Sequence, residues 1–283
     1  MKVIGIDENG LGPVLGPFVI SAAMFDIGDG DPFFDTRLDR LMLPLGIDDS
    51  KAIFKRKFPY TYSKGEIIAL SFLPERNWKD LLTNNFHLLI DEEEKEIYLK
   101  DLPLPIWAKE IKHDYRQKTG FAGFKGYAIF PKAFNRILKD MHKFQMDVKY
   151  FLELAHELSE GVDDDVVVLA GKVGGYTYYV QVFLLLGITK FHILKETKGH
   201  SAYKVFYKDR WIEIHFLMDG DAVYYPIAIA SVIGKYVREV SMKLLNEHYG
   251  FEGRVPYASG YRHDTRTLEL IEKMGREDFI RKK

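Results

Sequence analysis

Val3-Ile4-Gly5-Ile6-Asp7-Glu8-Asn9-Gly10-Leu11-Gly12-Pro13 opens the chain with four apolar positions that stop at two adjacent carboxylates and a glycine-rich turn. A strand covered on both faces reads as an uninterrupted apolar run, so Val3 to Ile6 is read as a buried strand with Asp7 and Glu8 at its end. Two readings stay open there. Rigidly placed carboxylates suit a divalent cation, which takes oxygen donors; acidic residues are also ordinary at the start of solvated loops. Past the turn, Val19, Ile20 and Met24 resume the apolar register, and Pro17 ends the turn without interrupting a ladder. Strands are therefore expected at about residues 2–7 and 15–26.

The remaining elements follow from periodicity and breakers. Ser63-Lys64-Gly65-Glu66 before Ile67 to Leu70 reads as a capping box opening a short helix. A polar stretch at about 73–120, with Pro74, Pro103, Pro105 and the run Asp91-Glu92-Glu93-Glu94, reads as an inserted lobe or an active-site flap. A third strand is expected at 121–130, a helix at 143–160 with apolar residues near helical spacing, a buried strand at Val166 to Leu169, a buried helix at 178–186 and a strand at 190–194. Helices at about 222–249 and 267–280 close the order. This predicts a single α/β domain over residues 1–283: a five-stranded mixed sheet flanked by helices, with the insertion and a C-terminal helical segment at about 222–283.

Length and composition are those of a globular chain: 283 residues, 47% hydrophobic and 29% charged, enough for a substantial core. The absence of cysteine excludes disulfides, thiolate zinc and cysteine nucleophiles. Met1-Lys2 precedes too short an apolar run for a signal peptide, and the longest apolar runs fall short of a membrane span; a soluble, cytoplasmic, monomeric protein is expected. A net charge of −1 is no polyanion footprint in itself. Lys195, Lys198, Lys204, Lys208, Arg210, Lys235, Arg238, Arg262 and Arg266 nevertheless populate the C-terminal half, which permits one basic face or a mixed solvated surface.

Four separated segments resemble ribonuclease HII, in order. They are Gly5 to Pro13 continuing through Leu15-Gly16-Pro17 to Ala23; Asp49-Ser50-Lys51; Gly220-Asp221-Ala222 with Tyr225-Pro226 through Ala230-Ser231 to Gly234-Lys235-Tyr236-Val237-Arg238-Glu239; and Ser259-Gly260-Tyr261 with Asp264, Arg266 and Thr267. The resemblance implies a ribonuclease H-like fold and metal-dependent cleavage of RNA in RNA–DNA hybrids or at ribonucleotide–DNA junctions, leaving 5′-phosphate and 3′-hydroxyl ends. Two Mg²⁺ or Mn²⁺ ions roughly 3.5–4 Å apart would activate a water and stabilise the leaving oxygen. Asp7, Glu8 and Glu239 match three of the four carboxylates implied as metal ligands. By the same resemblance Asn9-Gly10-Leu11-Gly12 would approach the ribose 2′-OH, Lys51, Lys235 and Arg238 would lie near the phosphates, and Tyr261 would stack on the sugar next to the junction.

Two departures qualify this. The strand from Val166 ends in Ala170-Gly171-Lys172 where the family carries a carboxylate. The gap is open to three readings: an introduced substitution, a natural loss in which Asp221 or Glu196 moves in, or a protein that binds nucleic acid without cutting it. Leu11 replaces an arginine of the family's Gly-Arg-Gly turn, and a junction or DNA nuclease on the same fold is a further alternative. Lys172-Val173-Gly174-Gly175-Tyr176 follows a strand as a phosphate-cradling turn would, without P-loop spacing. A tight strand-to-helix turn is the favoured reading, and Lys172 stands among the candidate substrate contacts.

Overall fold

The apolar run at Val3 to Ile6 is buried because the strand that carries it lies well inside a sheet. The computed structural model describes residues 1–41, 53–54, 62–253 and 257–282. Among these, eight strands form one mixed sheet: β1 (Lys2–Asn9), β2 (Phe18–Asp26), β3 (Phe86–Leu89), β4 (Phe121–Ile129), β5 (Val166–Gly171), β6 (Phe191–Glu196), β7 (His200–Tyr207) and β8 (Arg210–Leu217), in the order β3-β4-β2-β1-β5-β8-β7-β6. The principal helices are α1 (Tyr62–Phe72), α2 (Trp78–Asn85), α3 (Glu92–Tyr98), α4 (Pro131–Ile137), α5 (Lys143–Ser159), α6 (Val180–Leu185), α7 (Gly220–Val223), α8 (Tyr225–His248) and α9 (Thr265–Met274).

The sheet separates two apolar cores. One joins Val19, Ala23 and Phe25 to α1, α2, α3 and α8; the other joins Ile4, Ile6, Phe18 and Ile20 to α5 and α6. A helix layer on each face is what makes the inner strands uniformly apolar. Helix α8 lies directly on β1: a Cβ at Gly5 would fall 2.0 Å from the carbonyl carbon of Pro226. Only glycine at position 5 admits this contact.

The sheet confirms the mixed α/β order flanked by helices, with eight strands where five were expected. The additional strands are β3, β7 and β8. In β8, Ile212, Ile214 and Phe216 alternate inward, a period-two signal. The strand expected at 190–194 is the sheet's outer strand β6, and β8 takes the place beside β5. The helix expected at 178–186 is the short α6, whose Leu184 and Leu185 are exposed. Ser63 and Glu66 do not form a capping box, since α1 already includes Tyr62. Glu66 instead accepts hydrogen bonds from the amides of Ile106, Trp107 and Ala108, each at 2.6 Å, and from Tyr236 Oη at 3.0 Å. The polar stretch at 73–120 supplies Trp78, Leu81, Leu82 and Tyr98 to the core, all fully buried, and adds β3 to the sheet. No helix of the described residues is long and apolar enough to cross a membrane.

The β7–β8 hairpin holds a histidine pair. His200 Nε2 lies 2.9 Å from His215 Nδ1, and His215 Nε2 lies 3.0 Å from Glu213 Oε1. One ring nitrogen of the facing pair donates and the other accepts, which requires a neutral partner. Burial lowers both, His200 to about 4. The two imidazoles take up protons below about pH 6.5 in the unfolded chain, whereas in the folded chain His200 does so only near pH 4. The pair's contribution is therefore full above that pH and drains as pH falls toward 4. Thermal melts across this range isolate the pair by difference: a His200→Gln variant should gain in midpoint relative to the parent as pH falls toward 4.

Candidate active site

Strands β1 and β5 are parallel, with Ile6 opposite Ala170, and β5 and β8 are parallel, with Gly171 opposite Leu217. Their carboxyl ends therefore meet one edge of the sheet, where ligands of open α/β sheets bind. A cleft of about 310 Å³ opens there, lined by Asp7, Glu8 and Asn9 from β1, the Gly10 to Gly12 turn, Gly171 at the end of β5 and Lys172 after it, Asp219 to Asp221 after β8, Ser231 and Lys235 from α8, and Tyr261.

Four acidic residues line this cleft, Asp7, Glu8, Asp219 and Asp221, and of these Glu8 and Asp221 act on Asp7 through their charge. Burial pushes the Asp7 carboxyl well above the usual carboxylate range, and the charges of Glu8 and Asp221 push it further, against a hydrogen bond from the Ser231 side chain. Crowded carboxylates of this kind are relieved by a cation. Among the described residues no three acidic or histidine side chains close into a cage. Mg²⁺ commonly uses one or two carboxylates and completes its shell with water and substrate phosphates, so an open set of hard oxygen donors fits such an ion.

Of the two residues that end β5, Gly171 is the one that faces the carboxylates. Its Cβ would fall 2.5 Å from Asp7 Oδ1 and 3.9 Å from Glu8 Oε2. Ala170 is fully buried in the core that includes Ile4 and Phe216, so a carboxylate at 170 would be a charge in that core and not a ligand at the cleft.

Several expected site residues sit elsewhere. Glu239 is fully buried and does not line the cleft; its Oε1 is 3.8 Å from Lys235 Nζ. Eight residues separate it from Ser231, about 12 Å along the helix, so Asp221 rather than Glu239 joins Asp7 and Glu8. Arg238 is not a phosphate contact: it is buried and donates to the carbonyls of Pro17 (2.8 Å), Leu15 (3.2 Å) and Ser259 (3.0 Å). Asn9 does line the cleft, with its side chain turned to α8 and donating to Ser231 O at 3.1 Å. Glu196 lies on β6, where it accepts from Tyr203 Oη, and is not at the cleft. Lys51, with the Asp49-Ser50-Lys51 segment, lies outside the described residues.

Other expectations are met in position. Gly10, Leu11 and Gly12 line the cleft, and a Cβ at Gly12 would stand 3.2 Å from Tyr261 Cε1. Lys172 lines it as well, its Nζ donating to Thr197 O (2.9 Å) and Lys198 O (2.7 Å) in the β6–β7 turn. Tyr261 is 39% exposed, and its turn is held by the rest of its motif. Asp264 accepts from the Ser259 amide at 2.6 Å, and the Gly260 amide donates to Thr267 Oγ1 at 2.9 Å. Burial opposes the charge on Asp264, yet hydrogen bonds from Ser259, Arg266 and Thr267 keep its carboxyl below the usual range. Lys235 and Tyr261 also line an adjoining groove with His263 and Arg266, so the rim of the cleft continues into a cationic and aromatic surface.

The structure adds one residue that no motif signalled. Arg281 enters the core as a lone arginine after an isoleucine and holds the turn that follows β1, donating from Nε to Pro13 O at 3.0 Å and from Nη2 to the carbonyls of Gly10 and Pro13.

Comparisons with known proteins agree with the motifs. The sequence profile described as ribonuclease HII matches residues 188–283, a third of the chain that holds Asp221, Lys235 and Tyr261. Ribonuclease HII of Thermoplasma volcanium is 19% identical over 95% of this chain and 81% of its own. Among solved structures, the ribonuclease H2 of Pyrococcus horikoshii OT3 superposes with a TM-score of 0.50 at 19% identity, covering 97% of this chain and 87% of that one. The structure of the PCNA:RNase HII complex from Archaeoglobus fulgidus gives 0.50 at 17%, covering 99% and 94%. A mutant of Bst-RNase HIII gives 0.51 at 18%, and there the chain spans only 64% of its counterpart. The fold is shared, and the chain is a divergent protein similar to ribonuclease HII.

Proposed function

We propose that this ribonuclease HII-like chain is a metal-dependent endonuclease acting on RNA–DNA hybrids or on duplexes with an embedded ribonucleotide. The observation that carries this is the meeting of Asp7, Glu8 and Asp221 in one cleft whose rim bears the Gly10–Gly12 turn, Lys235 and Tyr261. Asp7, Glu8 and Asp221 would hold Mg²⁺ or Mn²⁺. When bound, such ions supply the charge that makes water a nucleophile at neutral pH and stabilises the departing oxygen.

The chain's own groups do the rest. Ser231 orients Asp7 through its hydrogen bond. Lys235, whose Nζ lies 3.8 Å from the buried Glu239, places a cation on the rim for a phosphate. The glycines of the turn let backbone approach the sugar closely, where the 2′-OH tells RNA from DNA. The Tyr261 ring offers a stacking face for the neighbouring sugar or base.

The test is cleavage of a duplex carrying a single ribonucleotide, in Mg²⁺ and then Mn²⁺, beside an all-DNA duplex of the same sequence. Cutting at the ribonucleotide alone supports the reading, and cutting of both duplexes makes the chain a DNA or junction nuclease. Binding without cutting supports the second reading, a pseudonuclease, which the bare Gly171 favours. A Lys235→Ala variant should weaken duplex binding and reduce the slope of log affinity against log salt by about one unit. An unchanged slope would remove Lys235 from the interface.

A further inference from the structure

The turn between β1 and β2 is gripped from inside by two buried guanidinium groups. Arg238 and Arg281 are each 2% exposed. Arg238 holds the carbonyls of Leu15 and Pro17, and Arg281 those of Gly10 and Pro13. The segment carrying Arg281 is itself tied down. The Arg281 amide donates to Val14 O at 2.8 Å, Asn135 Nδ2 donates to Ile280 O at 2.9 Å, and the Lys282 amide donates to Asn135 Oδ1 at 2.7 Å. The guanidinium carbon stands 4.5 Å from the centre of the Phe134 ring, and Nη1 has no hydrogen-bond partner among the described residues. A charged side chain buried with a donor unused is costly, which asks what it does.

Its bond to Gly10 has a geometric consequence. In a trans peptide the C=O of one residue and the N–H of the next point to opposite sides. With the Gly10 carbonyl drawn inward to Arg281, the Leu11 N–H is turned the other way. Gly10 and Leu11 both line the cleft. Gly10 has φ +87°, and a Cβ there would stand 2.8 Å from Arg238 Nη1, so the turn has little room to rotate back.

We propose that Arg281 is a positioning residue for sugar recognition: it fixes the Gly10–Leu11 peptide with its N–H toward the cleft, as a donor for the ribose 2′ oxygen. The proposal rests on the reading of the chain as a nuclease for ribonucleotide-bearing duplexes. It predicts a loss confined to the ribose-dependent part of binding, because phosphate contacts on the rim do not pass through Arg281.

Equilibrium binding in Mg²⁺ tests this, on an Asp221→Asn background so that no strand is cut, with one duplex carrying a single ribonucleotide and a matched all-DNA duplex. Adding Arg281→Met should raise the Kd for the ribonucleotide duplex about tenfold, the loss of roughly one hydrogen bond, and leave the DNA duplex within about twofold. Arg281→Lys keeps a cation able to hold one carbonyl and should recover part of the preference; if the methionine variant fails to fold, the lysine variant alone must show a reduced preference. Equal weakening of both duplexes would reduce Arg281 to a structural role, and unchanged preference would also overturn the proposal. A parent chain with no preference for the ribonucleotide would refute the functional reading itself and the proposal with it, an outcome distinct from the other two.

Discussion

Asp7→Asn should abolish cleavage of a ribonucleotide-bearing duplex while making the metal-free fold more stable. The expected fall in rate is at least about a thousandfold, or roughly 4 kcal/mol of barrier, because an amide keeps the shape of the carboxylate and loses its charge. The stability effect has the opposite sign. Burial and the charges of Glu8 and Asp221 raise the folded Asp7 pKa, so over the interval between its unfolded value, near 3.9, and its raised folded value the native state binds more protons than the unfolded one. Stability drains as pH rises through that interval. The asparagine variant escapes the drain, and its melting temperature in EDTA at neutral pH should exceed that of the parent. A variant that lost both activity and stability would point to a structural Asp7, and one that kept activity would remove the cleft from the chemistry.

Glu66→Ala should give the largest loss of stability. Its carboxylate is fully buried and accepts from three consecutive backbone amides and a tyrosine hydroxyl, joining α1 to the Ile106 to Ala108 segment and to α8. Removal leaves several buried donors unsatisfied at once, an effect of about 3–5 kcal/mol, or roughly 6–15 °C in melting temperature for a chain of this size. Glu66→Gln keeps one acceptor oxygen and should lie between. Denaturant unfolding of the three proteins measures the order, and a Glu66→Ala loss below about 1 kcal/mol would mean that the segment re-pairs with water.

How far these sites could be read from sequence depended on the range of the interaction. The β1 run, its carboxylates and the glycine turn were legible because a buried strand and a tight turn leave local signatures. The period of α5 was legible for the same reason: Met146, Phe151, Leu154 and Ala155 are its fully buried face. Strands β7 and β8 carried alternation that went unread, while the four residues of β3 are too few to show it. Glu66 looked local, three residues after a serine, and proved tertiary. Arg238 and Glu239 looked like site residues because they belong to the motif, yet they lie about two turns of helix beyond Ser231, past the reach of the cleft, which Ser231 and Lys235 line. Arg281 could not be found by pattern, since its partners Gly10 and Pro13 are some 270 residues away.

The contact between Gly5 and the backbone of Pro226 has a consequence for the order in which the chain is made. Strand β1 and its antiparallel partner β2 are synthesised early, but its parallel neighbour β5 follows more than 150 residues later and the helix on its bare glycine face more than 200. At about 5–20 residues per second this is a wait of roughly 10–45 s, during which an apolar strand meant for the middle of the sheet has an open edge and an uncovered face. Such long-range pairings also fold slowly once the chain is complete. The strand that carries the catalytic candidates thus has its full set of neighbours only once α8 has been made.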